Sequence, residues 1–203
     1  MNFHSYVVTR DYGFAPNPFG EYCTLATCKP KIRSAAAIGD WVLGTGSKTL
    51  SMESKLVFAM QVGEALTFDE YWNDERFAYK KPVMNGSIVQ MFGDNIYHHS
   101  GENWIQENSH HSNDDGSINP LNLAKDTKAD RVLIGTKFYY FGKSAPTVPS
   151  EFDEIFKEGI GHKKVDVEVG QRLVDWLTST QEVGLLDDPI QFDNNQFDRY
   201  SGK

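Results

Sequence analysis

Asp40-Trp-Val-Leu-Gly-Thr-Gly-Ser47 and, shortly after it, Lys55-Leu-Val-Phe-Ala-Met-Gln-Val-Gly-Glu-Ala-Leu66 decide how this chain is read. The first is a strand that opens into a glycine-rich turn. The second is a longer strand of β-branched and aromatic character. Together they read as neighbours in one sheet. Upstream, Tyr6-Val-Val-Thr9 is another β-favouring run, and Tyr22-Cys-Thr-Leu-Ala-Thr27 can be a further strand. Between them, the two prolines and two glycines of residues 10–20 rule out continuous helix or central strand, which makes that stretch a structured loop. Pro30 sits where the first turn of a helix tolerates it, and a short helix runs to the stop at Gly39, with Lys29, Lys31 and Arg33 at its start.

Downstream, Phe68 to Tyr79 reads as a short aromatic helix with Asp69, Glu70, Asp74 and Glu75 on its wet face, and residues 130–142 read as a strand pair. Ser150, followed by acids, opens one helix. Val169, Leu173, Trp176 and Leu177 recur at helical spacing in a second. The expected organisation is a β-rich core over residues 1–149, a helical pair over 150–186 packed on it, and a polar tail over 187–203 that docks irregularly through Phe192, Phe197 and Tyr200.

The 203 residues, 39% hydrophobic and 13% aromatic, suffice for one domain with a proper core. Twenty Lys and Arg against 28 Asp and Glu leave a net charge of −8, which argues against a grip on duplex DNA through phosphates. Any nucleic-acid contact must be local. The charge is uneven: the first fifty residues carry five cations and three carboxylates, so a phosphate-bearing ligand is drawn there. With no apolar run near the length of a membrane span and no signal-type leader, a cytoplasmic protein without membrane attachment is expected. Nothing in the sequence speaks to oligomeric state. Cys23 and Cys28 match neither a four-cysteine zinc site nor a redox Cys-x-x-Cys, so reduced thiols are expected, with a short disulfide as the alternative in an oxidising compartment.

The segment from Phe92 to Gly116 packs four of the six histidines, Tyr97, Trp104 and many amides into one polar stretch. Such groups suit a planar, polar ligand such as a nucleobase; the plainer reading is a long solvated loop. Adjacent histidines on an extended chain point to opposite faces, so His98-His99 and His110-His111 would each supply one inward imidazole. Their spacing matches no metalloenzyme motif, and neither a metal nor a cofactor is expected. Gly44-Thr-Gly-Ser47 can cradle a phosphate or simply end a strand. No Gly-x-Ser-x-Gly elbow is present and neither cysteine has a recognisable local partner, so the sequence offers no support for covalent catalysis.

Residues 6–19, Cys23-Thr-Leu-Ala-Thr-Cys-Lys-Pro30, Gly39-Asp-Trp-Val-Leu-Gly-Thr-Gly-Ser47, Gly93-Asp-Asn-Ile-Tyr-His98 and Phe138-Tyr-Tyr-Phe-Gly142 resemble the nucleotide modification associated domain, type 2. That resemblance implies association with nucleotide-modification or phage-defence systems. The order of strand, helix, residues 39–43 and strand 57–64 is similar to PUA-like domains, including the EVE and ASCH types, which implies an aromatic-walled base pocket.

The combined expectation is an α+β protein with a PUA-like, partly closed β-barrel binding a modified or ordinary base, nucleoside or nucleotide, free or flipped from a polymer. Trp41, Tyr97 and Trp104 would stack. Asn17, Asn95, Gln106 and His110 would read polar edges, and Arg10 with the backbone and hydroxyls from Gly44 through Thr45 to Ser47 would hold a phosphate. The competing class is an enzyme acting on such a nucleotide, with His98 or His110 as acid and base and Asp94 orienting it. A third is a protein-protein adaptor.

Overall fold

The computed structural model describes residues 1–159, 161–194 and 196–202. Its frame is a six-stranded mixed sheet built from β1 (Phe3–Val7), β3 (Trp41–Thr45), β4 (Leu56–Gln61), β9 (Phe138–Tyr140), β10 (His162–Val165) and β11 (Gly184–Leu185), in the order β10-β1-β3-β4-β9-β11. A second sheet joins β2 (Cys23–Leu25), β8 (Val132–Gly135) and β5 (Glu64–Leu66) in the order β2-β8-β5, and β6 (Tyr97–Ser100) with β7 (Asn103–Gln106) forms a hairpin.

β1 and β3 run parallel, with Phe3 opposite Trp41 and Val7 opposite Thr45. A parallel pair cannot be joined by a tight turn, so the chain makes a long crossover through residues 8–40. That crossover carries β2 and the short helix α1 (Pro30–Ala35), and it returns the start of α1 beside the end of β1. β3 and β4 pair antiparallel, the neighbours that the sequence suggests. Their register shifts between Gly44 and Thr45, and the Phe58 ring packs so closely on Gly44 that a Cβ there would stand 2.1 Å from it.

The longer run 55–66 is two strands rather than one. The chain leaves the first sheet after Gln61 and enters the second at Glu64, and residues 136–137 make the reverse passage between β8 and β9. Such strand-switching corners join two layers without closing them. The α+β class therefore stands, but the sheets are open and the expected partly closed barrel does not form: β10 and β11 lie at opposite edges.

The helices are α1, α2 (Phe68–Asn73), α3 (Ile88–Met91), α4 (Pro120–Asp126) and α5 (Val167–Thr180). The expected helix from Phe68 to Tyr79 stops at Asn73, because Asp74 turns extended and caps a 3-10 turn over Glu75–Lys80. The expected C-terminal helical pair is a 3-10 turn over Ser150–Ile155, the edge strand β10 and α5. The first stops at Ile155, where Phe156 turns extended, and beyond the positive-φ glycines 159 and 161 residues 162–165 extend along the free side of β1. α5 is N-capped by Asp166 and buries Leu173, Val174 and Leu177. It lies close to the sheet because Gly170 has no Cβ to meet the Phe3 ring 2.3 Å away.

Two hydrophobic clusters result. One takes in both faces of the large sheet, with Phe3, Trp41 and Tyr139 on the face that α5 covers and Tyr6, Phe58 and Tyr140 on the other. The other, around Phe14, Phe68, Tyr71, Phe92 and Tyr97, lies under the second sheet and the hairpin and takes in Phe192 from the tail. Residues 150–194 thus share cores with the rest of the chain. No helix is long and apolar enough to cross a membrane among the described residues.

Candidate functional site

The parallel strands β1 and β3 end side by side, and the space beyond their carboxyl ends is where sheets of this kind leave a crevice. A cavity of about 630 Å³ opens there. It is lined by Tyr6 to Arg10, by Tyr12, Phe14 and Ala15, by Cys28 to Ile32, and by His110, His111, Lys125, Gly161, His162 and Tyr200. It lies between the two clusters, since Tyr6, Val8 and Ile32 belong to the first and Phe14 to the second.

Four cations face this cavity, Arg10, Lys29, Lys31 and Lys125, and none of its lining residues among the described ones is Asp or Glu. Lys29 sits 4.2 Å from the centre of the Tyr6 ring, and burial pulls its ammonium below the ordinary lysine range. Arg10 and Lys125 both lie over the Tyr200 ring, at 4.7 and 5.5 Å. An adjoining cleft of about 1040 Å³ shares Val7, Thr9, Lys29, Lys125, Gly161 and Tyr200 and extends to Thr45, Gly46 and Ser47. There the buried Ser47 Oγ has no hydrogen-bond partner among the described residues.

The tail makes part of the wall. The Tyr200 N–H donates to the His110 carbonyl at 2.7 Å, and the Asn122 side chain donates to the Tyr200 carbonyl at 2.6 Å. Arg199 donates to the Ser109 carbonyl at 2.6 Å and to the Ser112 hydroxyl, fixing the turn that carries both histidines. Because residues 109–112 turn rather than extend, His110 and His111 both face the cavity, against the expectation of one inward imidazole per pair.

Behind that wall the polar groups are ordered. His111 Nδ1 donates to Asp126 Oδ2 at 2.7 Å, while its Nε2 stands 3.7 Å from Cys28 Sγ. Asp126 also accepts from the Tyr97 hydroxyl at 3.0 Å and from the Cys28 backbone N–H at 2.8 Å. Gln106 and Asn122 donate to the His111 carbonyl at 3.1 and 2.9 Å. Burial alone would lower the His111 pKa, yet the Asp126 carboxylate and the Cys28 sulfur overcome it and push the imidazole up to about 10. His110, with no such partner, is pushed down to about 3 by burial and then by the charge of His111.

Cys28 and Lys29 both hold left-handed backbone, at φ 56° and 39°, a conformation that costs roughly 1 kcal/mol or more per non-glycine residue. Arg33 holds them there. Its fully buried guanidinium donates to the carbonyls of Cys28 at 2.9 Å, Ala129 at 2.6 Å, Arg131 at 2.7 Å and Asp126.

Of the residues expected to bind ligand, Arg10 and His110 line the cavity, and Thr45 and Ser47 line the adjoining cleft. Tyr97 and Gln106 are buried behind His111, so they position it rather than stack on or read a ligand. Trp41 is 1% exposed and stacks on Tyr139 in the core, where no ligand reaches its face. Asn17, Asp94 and Asn95 belong to a separate buried network. In it Lys80 donates to the Asn17 side chain at 2.7 Å, Thr24 and Tyr71 donate to Asp94 at 2.6 and 2.8 Å, and Asn95 donates to the Tyr71 carbonyl at 3.0 Å.

Trp104 packs on Phe68 and His99, and His98 stacks on Trp72 and bonds Glu107, all at the hairpin. Asp94 and His98 are therefore not placed to act in the cavity. Both cysteines are free thiols. Sequence reasoning missed Cys28, Asp126, Lys125 and the ring wall of Tyr12, Phe14 and Tyr200. A non-glycine residue in left-handed backbone just before Pro30 leaves no signature in a single sequence.

Cys28, His111 and Asp126 are also the one group among the described residues whose donor atoms converge enough to hold a metal, within 4.8 Å of one another. Yet Asp126 and Cys28 sit at opposite nitrogens of the same ring, and one imidazole cannot turn both nitrogens to one ion. The arrangement is a linear hydrogen-bonded relay. No curated protein and no solved structure matches the chain. Residues 1–196 match the family described as nucleotide modification associated domain 2, so the chain belongs to that family.

Proposed function

We propose that the cavity binds a nucleotide-class ligand, a planar ring system carrying an anionic group. The observation that carries this reading is a cavity walled by Tyr6, Tyr12, Phe14 and Tyr200 and faced by Arg10, Lys29, Lys31 and Lys125 without an opposing carboxylate, in a protein of net charge −8. Aromatic walls take a base by stacking, and local cations take a phosphate. The unpartnered Ser47 hydroxyl lies in the adjoining cleft, whose lining also carries Glu53, Asp153 and Glu158, so the phosphate is assigned to the four-cation cavity. The family's association with nucleotide modification agrees with such a ligand. A modified base in a phage-defence setting is the narrower form of the same reading, and the PUA-like analogy bears on that base alone.

The test is calorimetric titration with 5′-mononucleotides and the matching nucleosides. The mononucleotides should bind about tenfold or more tightly, a preference worth roughly 1.4 kcal/mol, and added salt should weaken them. Arg10→Glu with Lys125→Glu should abolish that preference. A wild-type protein that binds neither series, or a charge-reversed variant that binds equally well, refutes the reading.

A further inference from the structure

We propose that Cys28 is a catalytic nucleophile with His111 as its acid and base and Asp126 as the positioning residue, and that the site transfers or hydrolyses an acyl group carried by a nucleotide-class ligand. The ligand class rests on the binding reading above; the nucleophile rests on geometry of its own.

Sulfur, imidazole and carboxylate follow one another in the order that nucleophilic catalysis requires, at 3.7 and 2.7 Å. Cys28 and His111 line the cavity, whereas Asp126 is buried behind the ring. The other thiol has none of this. Cys23 is sealed in β2, and burial pushes it up to about 12.

A buried carboxylate and imidazole are costly to install and are poor evidence for stability. Here they are also held by Tyr97, Gln106 and Asn122 and by the Arg33 clamp on strained backbone at Cys28. Investment of that kind concentrates at functional sites. The neighbouring histidines are pushed apart, His111 toward the imidazolium and His110 toward the neutral ring, so the proton facing the sulfur has one owner.

The chemistry balances without a further reagent. The Cys28 thiolate adds to the carbonyl carbon and forms a C–S bond, and the electron pair moves onto oxygen near the Lys29 and Lys125 charges. As that oxygen re-forms the carbonyl, the C–N or C–O bond to the departing group breaks, and that group takes the proton of His111. Water, or an acceptor amine, then adds to the S-acyl carbon and gives its proton to His111. The C–S bond breaks, and thiolate and imidazolium are restored.

The test needs no knowledge of the natural substrate. Iodoacetamide labelling at pH 6, resolved by peptide mass, compares Cys28 with Cys23 and with free glutathione. An ordinary thiol is under about 1% ionised at that pH, so a thiol whose proton a neighbouring imidazole takes up as it attacks has room for a gain of about tenfold. Cys28 should therefore label about tenfold faster than glutathione, and Asp126→Asn or His111→Asn should remove the gain. p-Nitrophenyl acetate should leave an acetyl group on Cys28 and not on Cys23.

Saturating AMP should slow both reactions. Wild-type Cys28 that labels no faster than glutathione, or that takes no acetyl group, overturns the nucleophile whether or not the variants fold. Fast labelling that AMP does not slow, in a protein that binds no mononucleotide, overturns the substrate class and leaves the nucleophile standing. Equimolar zinc in the purified protein, lost in Cys28→Ser, would make the cluster a metal site and sink the proposal.

Discussion

Arg33→Lys is the substitution that most directly asks whether the site is held by one clamp. Arg33 is fully buried and donates to four backbone carbonyls, those of Cys28, Asp126, Ala129 and Arg131. It thereby ties the strained turn before α1 to the end of α4 and the approach to β8. Lysine keeps the charge but replaces a rigid five-donor fork with three donors at one point, too narrow to span four carbonyls, so about two of the four bonds are expected to be lost. Each lost bond to a charged donor costs roughly 1.5–3 kcal/mol, which sets the total at about 3–6 kcal/mol. For a chain of this size 1 kcal/mol moves the melting temperature by about 2–4 °C, so a fall of about 6 °C or more is expected in a thermal melt followed by circular dichroism. Labelling of Cys28 at pH 6 should fall in parallel below the melting transition, because the carbonyls of Cys28 and Asp126 no longer share an anchor. A variant that melts within about 2 °C of wild type would show that the clamp carries little stability and that the turn is held by other means.

Gly170→Ala should destabilise, although alanine gains about 1 kcal/mol of helix propensity. The new methyl meets the Phe3 ring at 2.3 Å, so overpacking of roughly 1–3 kcal/mol outweighs the gain; a raised melting temperature would contradict the close packing of α5 on β1. Asp94→Asn should leave mononucleotide affinity and Cys28 labelling unchanged, since Asp94 does not line the cavity, and a loss of either would restore it to the site. The same variant reports on pH. Burial raises the Asp94 pKa to about 6 against the partial opposition of Lys80, so its contribution is fully present below the unfolded value of 3.8 and is lost as pH rises through about 6. Wild type should therefore lose up to roughly 3 kcal/mol relative to Asp94→Asn between pH 4 and 6; parallel melting curves over that range would refute the shift.

Much of the frame was legible in the sequence because it rests on local pattern. The runs in residues 40–47 and 55–66 are short, apolar and β-branched, and they form the β3-β4 pair. The Gly63 crossing was hidden, since one apolar run serves two sheets equally well until the second sheet exists. His162, Lys163 and Lys164 are polar and gain their strand only by pairing with β1, a partner far away in sequence. The site was less legible for the same reason. His111 is 83 residues from Cys28, and Asp126 is 98 residues from it. Aromatic and amide content did mark residues 92–116, but most of it serves the hairpin and the Asp94 network. The Ser109 to Ser112 turn alone reaches the cavity.

The charge distribution bears on which ligands can use this arrangement. A protein of net charge −8 repels a long polyanion on balance, whereas Arg10, Lys29, Lys31 and Lys125 stand together at the cavity. Beyond about 8–10 Å in physiological salt the body's negative charge is largely screened, so a small anion that enters the cavity is governed chiefly by the four cations, while Glu53, Asp153 and Glu158 line the adjoining cleft and not the cavity. A duplex would have to lay many phosphates against the acidic remainder to place one base there, losing the counterion-driven affinity that duplex binders rely on. A free nucleotide or a single extruded base meets no such penalty. The same four charges stand near the carbon that Cys28 would attack and favour the oxyanion formed there, so the features that select a small anionic ligand also suit the chemistry of the relay behind it.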